Sequence, residues 1–129
     1  MAPDLHISAV ANVAIPVADP DRAMAFYGGV LGFEVRRDAP FGQGMRWVEV
    51  APEGAATTIA LAPPGDGRTG VDTGIRLATR DCAADHGRLR EQGVDVDDVM
   101  AWPGVPPMFR LRDPDGNTLY VVEQAEAHI

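Results

Sequence analysis

The sequence predicts an α+β fold built from two βαβββ modules, on three observations. One pattern occurs twice, in which alternating apolar residues lead into an aspartate and then a helical stripe. The segments after each helix read as short strands, and turn-forming residues fall at matching places in both copies. The first copy is Val13-Ala14-Ile15-Pro16-Val17-Ala18-Asp19 followed by Pro20 to Tyr27. The second is Ile75-Arg76-Leu77-Ala78-Thr79-Arg80-Asp81 followed by Cys82 to Leu89.

Each copy opens with a strand whose apolar residues recur at every second position: Val13, Ile15 and Val17, then Ile75 and Leu77, with Thr79 next in line. Asp19 and Asp81 suit helix N-caps, because a carboxylate accepts the unpaired amide protons of a first turn, and Pro20 suits the first helical position. Ala23, Phe26, Tyr27 and Val30 fall at helical spacing and make one apolar stripe, expected to pack on the first strand. The second helix carries a weaker stripe of Cys82, His86 and Leu89, and Gly87 costs it about 1 kcal/mol relative to alanine. Gly32 and Gly93 end the two helices.

Strands are expected at Phe33 to Arg37, Met45 to Val50 and Thr57 to Ala62 in the first half. In the second half they are expected at Val94 to Val96, Met108 to Arg112 and Thr118 to Val122. Asp113-Pro114-Asp115-Gly116-Asn117 is a hairpin signal, and Pro52-Glu53-Gly54 holds the matching place. The chain reads as a single domain of two modules, about 7–63 and about 72–124, joined by a proline- and glycine-rich linker at about 64–71. The linker contains Gly65-x-Gly67-x-x-Gly70, the spacing of a dinucleotide fingerprint. A strand pattern follows it rather than a helix, so no helix N-terminus is offered to a pyrophosphate.

Composition narrows the function. In 129 residues, eleven basic and nineteen acidic side chains give a net charge of -8, which repels nucleic-acid backbones and anionic lipid. Every basic residue is arginine, so chemistry that needs a lysine amine is excluded. The single cysteine, Cys82, has no partner for an internal disulfide, and its place on an apolar helical stripe reads as packing. The apolar stretch from Ala9 to Ala18 falls short of the roughly 20 residues a membrane span needs. The first residues lack a basic segment followed by a long apolar run, so the expected location is the cytoplasm.

The Val17-Ala18-Asp19 entry with Ala23 and Phe26-Tyr27 resembles the vicinal oxygen chelate superfamily of glyoxalase I, extradiol dioxygenases and bleomycin-resistance proteins. So do the Leu31-Gly32-Phe33-Glu34-Val35 and Gln92-Gly93-Val94 exits and the Asp113 to Asn117 turn. The resemblance covers both halves and implies an incurved mixed sheet around a cleft, with the helices on the convex side. Val13, Ile15 and Val17 then face the helix, and Asn12, Ala14 and Pro16 face the cleft. Ile75 and Leu77 likewise face out, leaving Gly74, Arg76 and Ala78 inward.

Metal-dependent members of that superfamily draw ligands from His, Glu and sometimes Gln on the cleft faces of the first and last strand of each module. The matching positions here are Asn12, Ala60, Gly74 and Tyr120. Alanine and glycine offer no side-chain donor, and Asn12 and Tyr120 are poor ligands for a divalent transition ion. His6, His86 and His128 lie outside any metal-ligand spacing, and Glu123 falls on the wrong strand face, in a structural or solvent role. No metal or other cofactor is therefore expected. The acidic run Asp95-Val96-Asp97-Asp98 reads as a solvated connection.

What remains is a cleft lining suited to binding: Asn12, Trp47, Arg76, Trp102, Met108, Arg110 and Tyr120. Trp47 and Met108 are equally compatible with the core. Trp102 opens a proline-rich loop, Trp102 to Pro107, placed over the cleft mouth or at a dimer contact. The reading is a metal-free protein that sequesters an aromatic or amphipathic compound, and the resemblance implies a homodimer whose modules complete each cleft together. Two alternatives stand beside it: a lyase, isomerase or dioxygenase with a displaced or metal-independent site, and a subunit serving only assembly.

Overall fold

The computed structural model describes residues 4–124. Module one runs β1 (Asn12–Pro16), α1 (Pro20–Met24), a π-helical continuation (Ala25–Val30), β2 (Glu34–Pro40), β3 (Arg46–Ala51) and β4 (Thr58–Ala62). Module two runs β5 (Asp72–Thr79), α2 (Cys82–Glu91), β6 (Asp95–Val96), β7 (Met100–Trp102), β8 (Val105–Arg112) and β9 (Thr118–Glu123). The strands form two open mixed sheets, ordered β1-β4-β3-β2 and β5-β9-β8-β6, with β7 paired to β8. In both, the first strand lies parallel to the last, β1 with β4 and β5 with β9, and the remaining pairs are antiparallel.

The helix starts follow from their caps. Asp19 accepts from the amides of Asp21 and Arg22, and Asp81 accepts from Ala84, each satisfying donors that a first helical turn leaves free. Glu123 adds a second cap on α2, its Oε1 accepting from the Cys82 amide at 3.0 Å. The first helix does not stay α-helical. From Ala25 it widens, and the Leu31 amide donates to the Phe26 carbonyl five residues back, so Phe26 and Tyr27 are both buried while Gly29 faces solvent. Gly32 and Gly93 end the helices at φ of 78° and 81°.

Two segments depart from the sequence reading. Trp102 to Pro107 is not a loop: Trp102 pairs with Val105 across Pro103-Gly104, and β7 and β8 form a hairpin. β8 tolerates Pro106 and Pro107 because its pairing with β9 begins only at Met108, so neither proline is asked for an amide on that side. The acidic run is not simply solvated either. Asp95 belongs to β6, and Asp97 is held by two arginines described below. After the linker glycines comes β5, a strand, as the fingerprint argument required.

One apolar cluster joins both halves. Ile15, Val17, Phe26, Tyr27, Val48 and Val50 from module one meet Cys82, Leu89, Phe109, Leu111 and Leu119 from module two. Burying a large apolar side chain contributes about 1.5–3 kcal/mol each, so this cluster is the main cohesive term. Polar contacts fix how the halves meet. Tyr27 Oη donates to Asp113 Oδ2 at 2.8 Å. Asn117, fully buried, donates to the Pro16 carbonyl and accepts from the amides of Gly70 and Val71. Asp115 Oδ1 accepts from the Ala18 amide and from Arg22. Strand alternation then turns the other face of each sheet away from this core, and there the candidate residues lie.

Candidate functional site

On the second sheet the register lines up three side chains. Arg76 pairs with Tyr120, and Tyr120 with Arg110, so a phenol ring stands between two arginines across adjacent strands. The Arg76 guanidinium carbon sits 4.6 Å from the centre of the Tyr120 ring, a cation–π contact, and Arg76 Nη1 donates to the Gly74 carbonyl at 2.9 Å. That supplies the partner an arginine at this position needs; the side chain is exposed rather than buried. Tyr120 Oη donates to Asp72 Oδ2 at 2.7 Å. The bond holds the Asp72 carboxyl below the usual carboxylate range and pushes the Tyr120 phenol upward.

Arg112 and Arg110 share Asp97. Arg112 donates through Nη1 and Nη2 to the two carboxylate oxygens at 2.8 and 3.1 Å, a fork-to-fork pair that holds Asp97 below the usual range and raises Arg112. Arg110 Nε lies 2.7 Å from Asp97 Oδ2, an ion-pair distance, yet its N–H is not aligned on that oxygen and makes no hydrogen bond among the described residues. The next row on the same face is apolar: Ala78 beside Val122, Val122 beside Met108, and Met108 beside Met100. Phe109, one residue on, is fully buried, so the alternation assigns Met108 to the open face and not to the core.

On the first sheet, Val48 and Val50 are fully buried, which assigns Trp47 and Glu49 to the opposite face. Trp47 Nε1 donates to Glu49 Oε2 at 2.6 Å and Thr58 Oγ1 donates to Glu49 Oε1 at 2.7 Å. These two bonds, led by that from Thr58, hold the Glu49 carboxyl below its usual range. Asn12 pairs with Thr58 on the adjacent strand and is exposed, and Phe41 packs edge-on against Trp47 with centroids 6.1 Å apart. The structure thus brings together Arg76, Arg110 and Tyr120, with Met108 one row away. It places Trp47 and Asn12 on the other sheet, and Trp102 at the β7–β8 turn with 55% of its surface exposed.

The four positions matched to metal ligands do not fit an ion. Ala60 is fully buried and has no donor. Gly74 adopts φ of 70° at an irregularity in the β5–β9 pairing, a backbone geometry that disfavours any ligating side chain. The Tyr120 hydroxyl is committed to Asp72. Among the described residues no group of three or more His, Cys, Asp or Glu is placed to hold a metal. His86 packs edge-on against Phe109 and its Nε2 lies 2.9 Å from the Asp97 carbonyl; His6 is exposed, and His128 lies outside the described residues. Cys82 is fully buried, and burial pushes its thiol up, away from the reactive thiolate.

Sequence reasoning missed Glu49, Thr58, Asp72, Asp97 and Arg112. Alternation carried the signal for three of them: Asp72 shares a face with Arg76, Glu49 with Trp47, and Arg112 with Arg110. Asp97 had none, because it lies beyond the end of β6 and reaches the arginines through the fold.

The geometry agrees with what the chain is similar to. The family model described as the Glyoxalase/Bleomycin resistance protein/Dioxygenase superfamily matches residues 9–121. The crystal structure of TnmS3, an antibiotic binding protein from Streptomyces sp. CB03234, is 36% identical with a TM-score of 0.83, over 92% of this chain and 98% of that one. A superfamily member from Sphaerobacter thermophilus DSM 20745 is 37% identical with a TM-score of 0.87, over 93% of this chain and all of the other (100%). The uncharacterized protein YetH of Bacillus subtilis (strain 168) is 27% identical across 91% of this chain and 99% of its own length. Two modules that each run strand, helix and then further strands, open mixed sheets and a family match across nearly the whole sequence give one conclusion: the chain belongs to the glyoxalase/bleomycin resistance protein/dioxygenase superfamily.

Proposed function

We propose that the protein binds an aromatic or amphipathic small molecule on the open sheet faces and sequesters it without a metal ion. The observation that carries this is the Arg76–Tyr120–Arg110 row, with donors to spare, beside an apolar row of Ala78, Val122 and Met108. Apolar walls that desolvate a ligand, with a few polar groups that orient it, are the usual make-up of a binding site. The similarity to TnmS3, described as an antibiotic binding protein, supports the same reading. The donor-poor set Asn12, Ala60, Gly74 and Tyr120 supports the absence of a metal requirement.

The binding unit in this proposal is a homodimer. Among the described residues the two sheets are separate, and β1 and β5 each have an unpaired edge. Leu5 and Ile7, just before β1, are 67% and 84% exposed, an apolar surface that a second copy would cover. Trp47 of one copy and Arg76 of the other would then line the same cleft. No described helix is long and apolar enough to cross a membrane, and the proposed location is the cytoplasm.

Thermal-shift screening against a set of aromatic and amphipathic compounds tests the reading. Binding at a hundred times Kd stabilises by about 2.7 kcal/mol, an upward shift of several degrees in a domain of this size. The reading predicts such a shift for some of the set, lost in Tyr120→Ala. Uniformly unshifted melting, or shifts unaffected by Tyr120→Ala, would contradict it.

A further inference from the structure

We infer that the compound bound on the second sheet carries a carboxylate, held between Arg76 and Arg110, with its apolar body lying over Met108 and Val122. This deepens the binding reading above and rests on it.

The argument starts from which guanidinium groups are already neutralised. On this face Arg112 is paired bidentately with Asp97 and lies 3.5 Å from Asp95, so its charge is met. Arg110 Nε lies 2.7 Å from Asp97 Oδ2, which meets part of its charge, and Arg110 makes no side-chain hydrogen bond among the described residues. Arg76 has no carboxylate within ion-pair distance among the described residues; one Nη donates to the Gly74 carbonyl, and the rest of the fork is free. The tyrosine between them does not compensate, since its hydroxyl is turned to Asp72 and donates there. Asp72 accepts from Tyr120 and from the Gly74 amide, and its charge acts on Arg76 and Arg110 from one side without pairing with the fork of either. Two incompletely satisfied forks therefore flank one ring, in a chain whose overall charge is -8.

Such forks match a planar carboxylate, which takes two parallel N–H donors at once; a neutral amide offers one acceptor oxygen and a cation none. The charged row also has an apolar neighbour on one side. Arg76, Tyr120 and Arg110 are followed two residues along each strand, about 7 Å away, by Ala78, Val122 and Met108 in register, with Met100 beyond. That offset equals the distance from a carboxylate to the far side of an attached ring. On the opposite side lies the polar row of Asp72, Thr118, Arg112 and Asp95, which would repel a second acid and expose an apolar body to charge. The sheet thus orders its rows polar, cationic-aromatic and apolar, and an acid with one apolar body has one favourable direction on it.

Calorimetric titration of the full chain with three matched probes tests this: 2-naphthoate, the neutral 2-naphthamide and the cationic 2-naphthylmethylammonium. The expected result is naphthoate binding at least tenfold tighter than the amide, and the ammonium weakest. Arg76→Met should bring naphthoate and amide to within about twofold, with the larger loss falling on naphthoate. Arg88→Met, on α2, should leave the tenfold preference intact. Amide binding as tight as naphthoate, or a preference that survives Arg76→Met or vanishes in Arg88→Met, overturns the carboxylate assignment alone. If none of the three binds, the assignment falls together with the binding reading beneath it.

Discussion

The hydroxyl of Tyr27, on the first helix, donates a 2.8 Å hydrogen bond to Asp113 at the start of the last hairpin, so a residue of one module is anchored by a carboxylate of the other. Both groups are buried. Asp113 also accepts from the amides of Asp115 and Asn117 and from Asn117 Nδ2, which makes it the centre of the junction.

Removing the Tyr27 hydroxyl leaves Asp113 one donor short. Tyr27→Phe is predicted to cost about 1.5–3 kcal/mol in urea unfolding, the range for a hydrogen bond to a charged group. The same variant tests a pH effect. Burial, with Asp113 beside it, pushes the Tyr27 phenol far above its ordinary value. The neutral form is thus favoured in the fold: this stabilisation is complete below the unfolded value of about 10 and is lost as pH rises beyond it. Wild-type protein should lose stability above about pH 10 more steeply than Tyr27→Phe. Parallel alkaline limbs would contradict the assignment.

Asn117 holds three segments at once: the end of β1 through Pro16, the linker through Gly70 and Val71, and its own turn through Asp113. Asn117→Ala leaves two amides and a carbonyl to find new partners. A loss of about 3 kcal/mol or more is expected, several times that of an average surface change. Asn117→Asp keeps the acceptor for the two amides but loses the donations to Pro16 and to Asp113 and sets a second buried carboxylate beside Asp113, so at neutral pH it should be no more stable than the alanine variant. A loss under about 1 kcal/mol for the alanine variant would show that water replaces the side chain without cost.

How much of this was legible in the sequence follows from what kind of force places each residue. Period-two alternation assigned Asn12 and Arg76 to the open faces and Ile15 and Val17 to the core, because hydrophobic burial acts on each residue locally. Asp19, Asp81 and the Asp113 to Asn117 turn were legible for the same reason, since capping and turn chemistry involve only neighbours. Trp47 was ambiguous, because it shares a face with Glu49, two residues on, while being itself apolar, so residue type and alternation point to opposite faces until the burial of Val48 and Val50 decides. The β7–β8 hairpin was hidden by Pro106 and Pro107, which normally signal a loop. Asp97 was hidden because its partners, Arg110 and Arg112, arrive from a strand that the sequence does not show to be adjacent.

Asp97 offers a prediction of its own. Its carboxyl is held low by Arg112, so its contribution is present above the unfolded value of about 4 and is lost as pH falls through the folded one. Asp97→Asn should cost about 1 kcal/mol at neutral pH, as for a partly exposed ion pair, and should flatten the acid limb of a melting-temperature profile. It also releases both arginines, so naphthoate affinity should rise while stability falls. Equal acid limbs in variant and parent would contradict the role given to the pair.

The central claim, capture of a small molecule without a metal, is tested most directly by calorimetric titration of EDTA-dialysed protein with 2-naphthoate, repeated after adding back manganese or zinc. The account predicts saturable binding of about one ligand per chain, with the same affinity in both titrations. Binding that is absent from the dialysed protein and appears only with a stoichiometric divalent ion would contradict it.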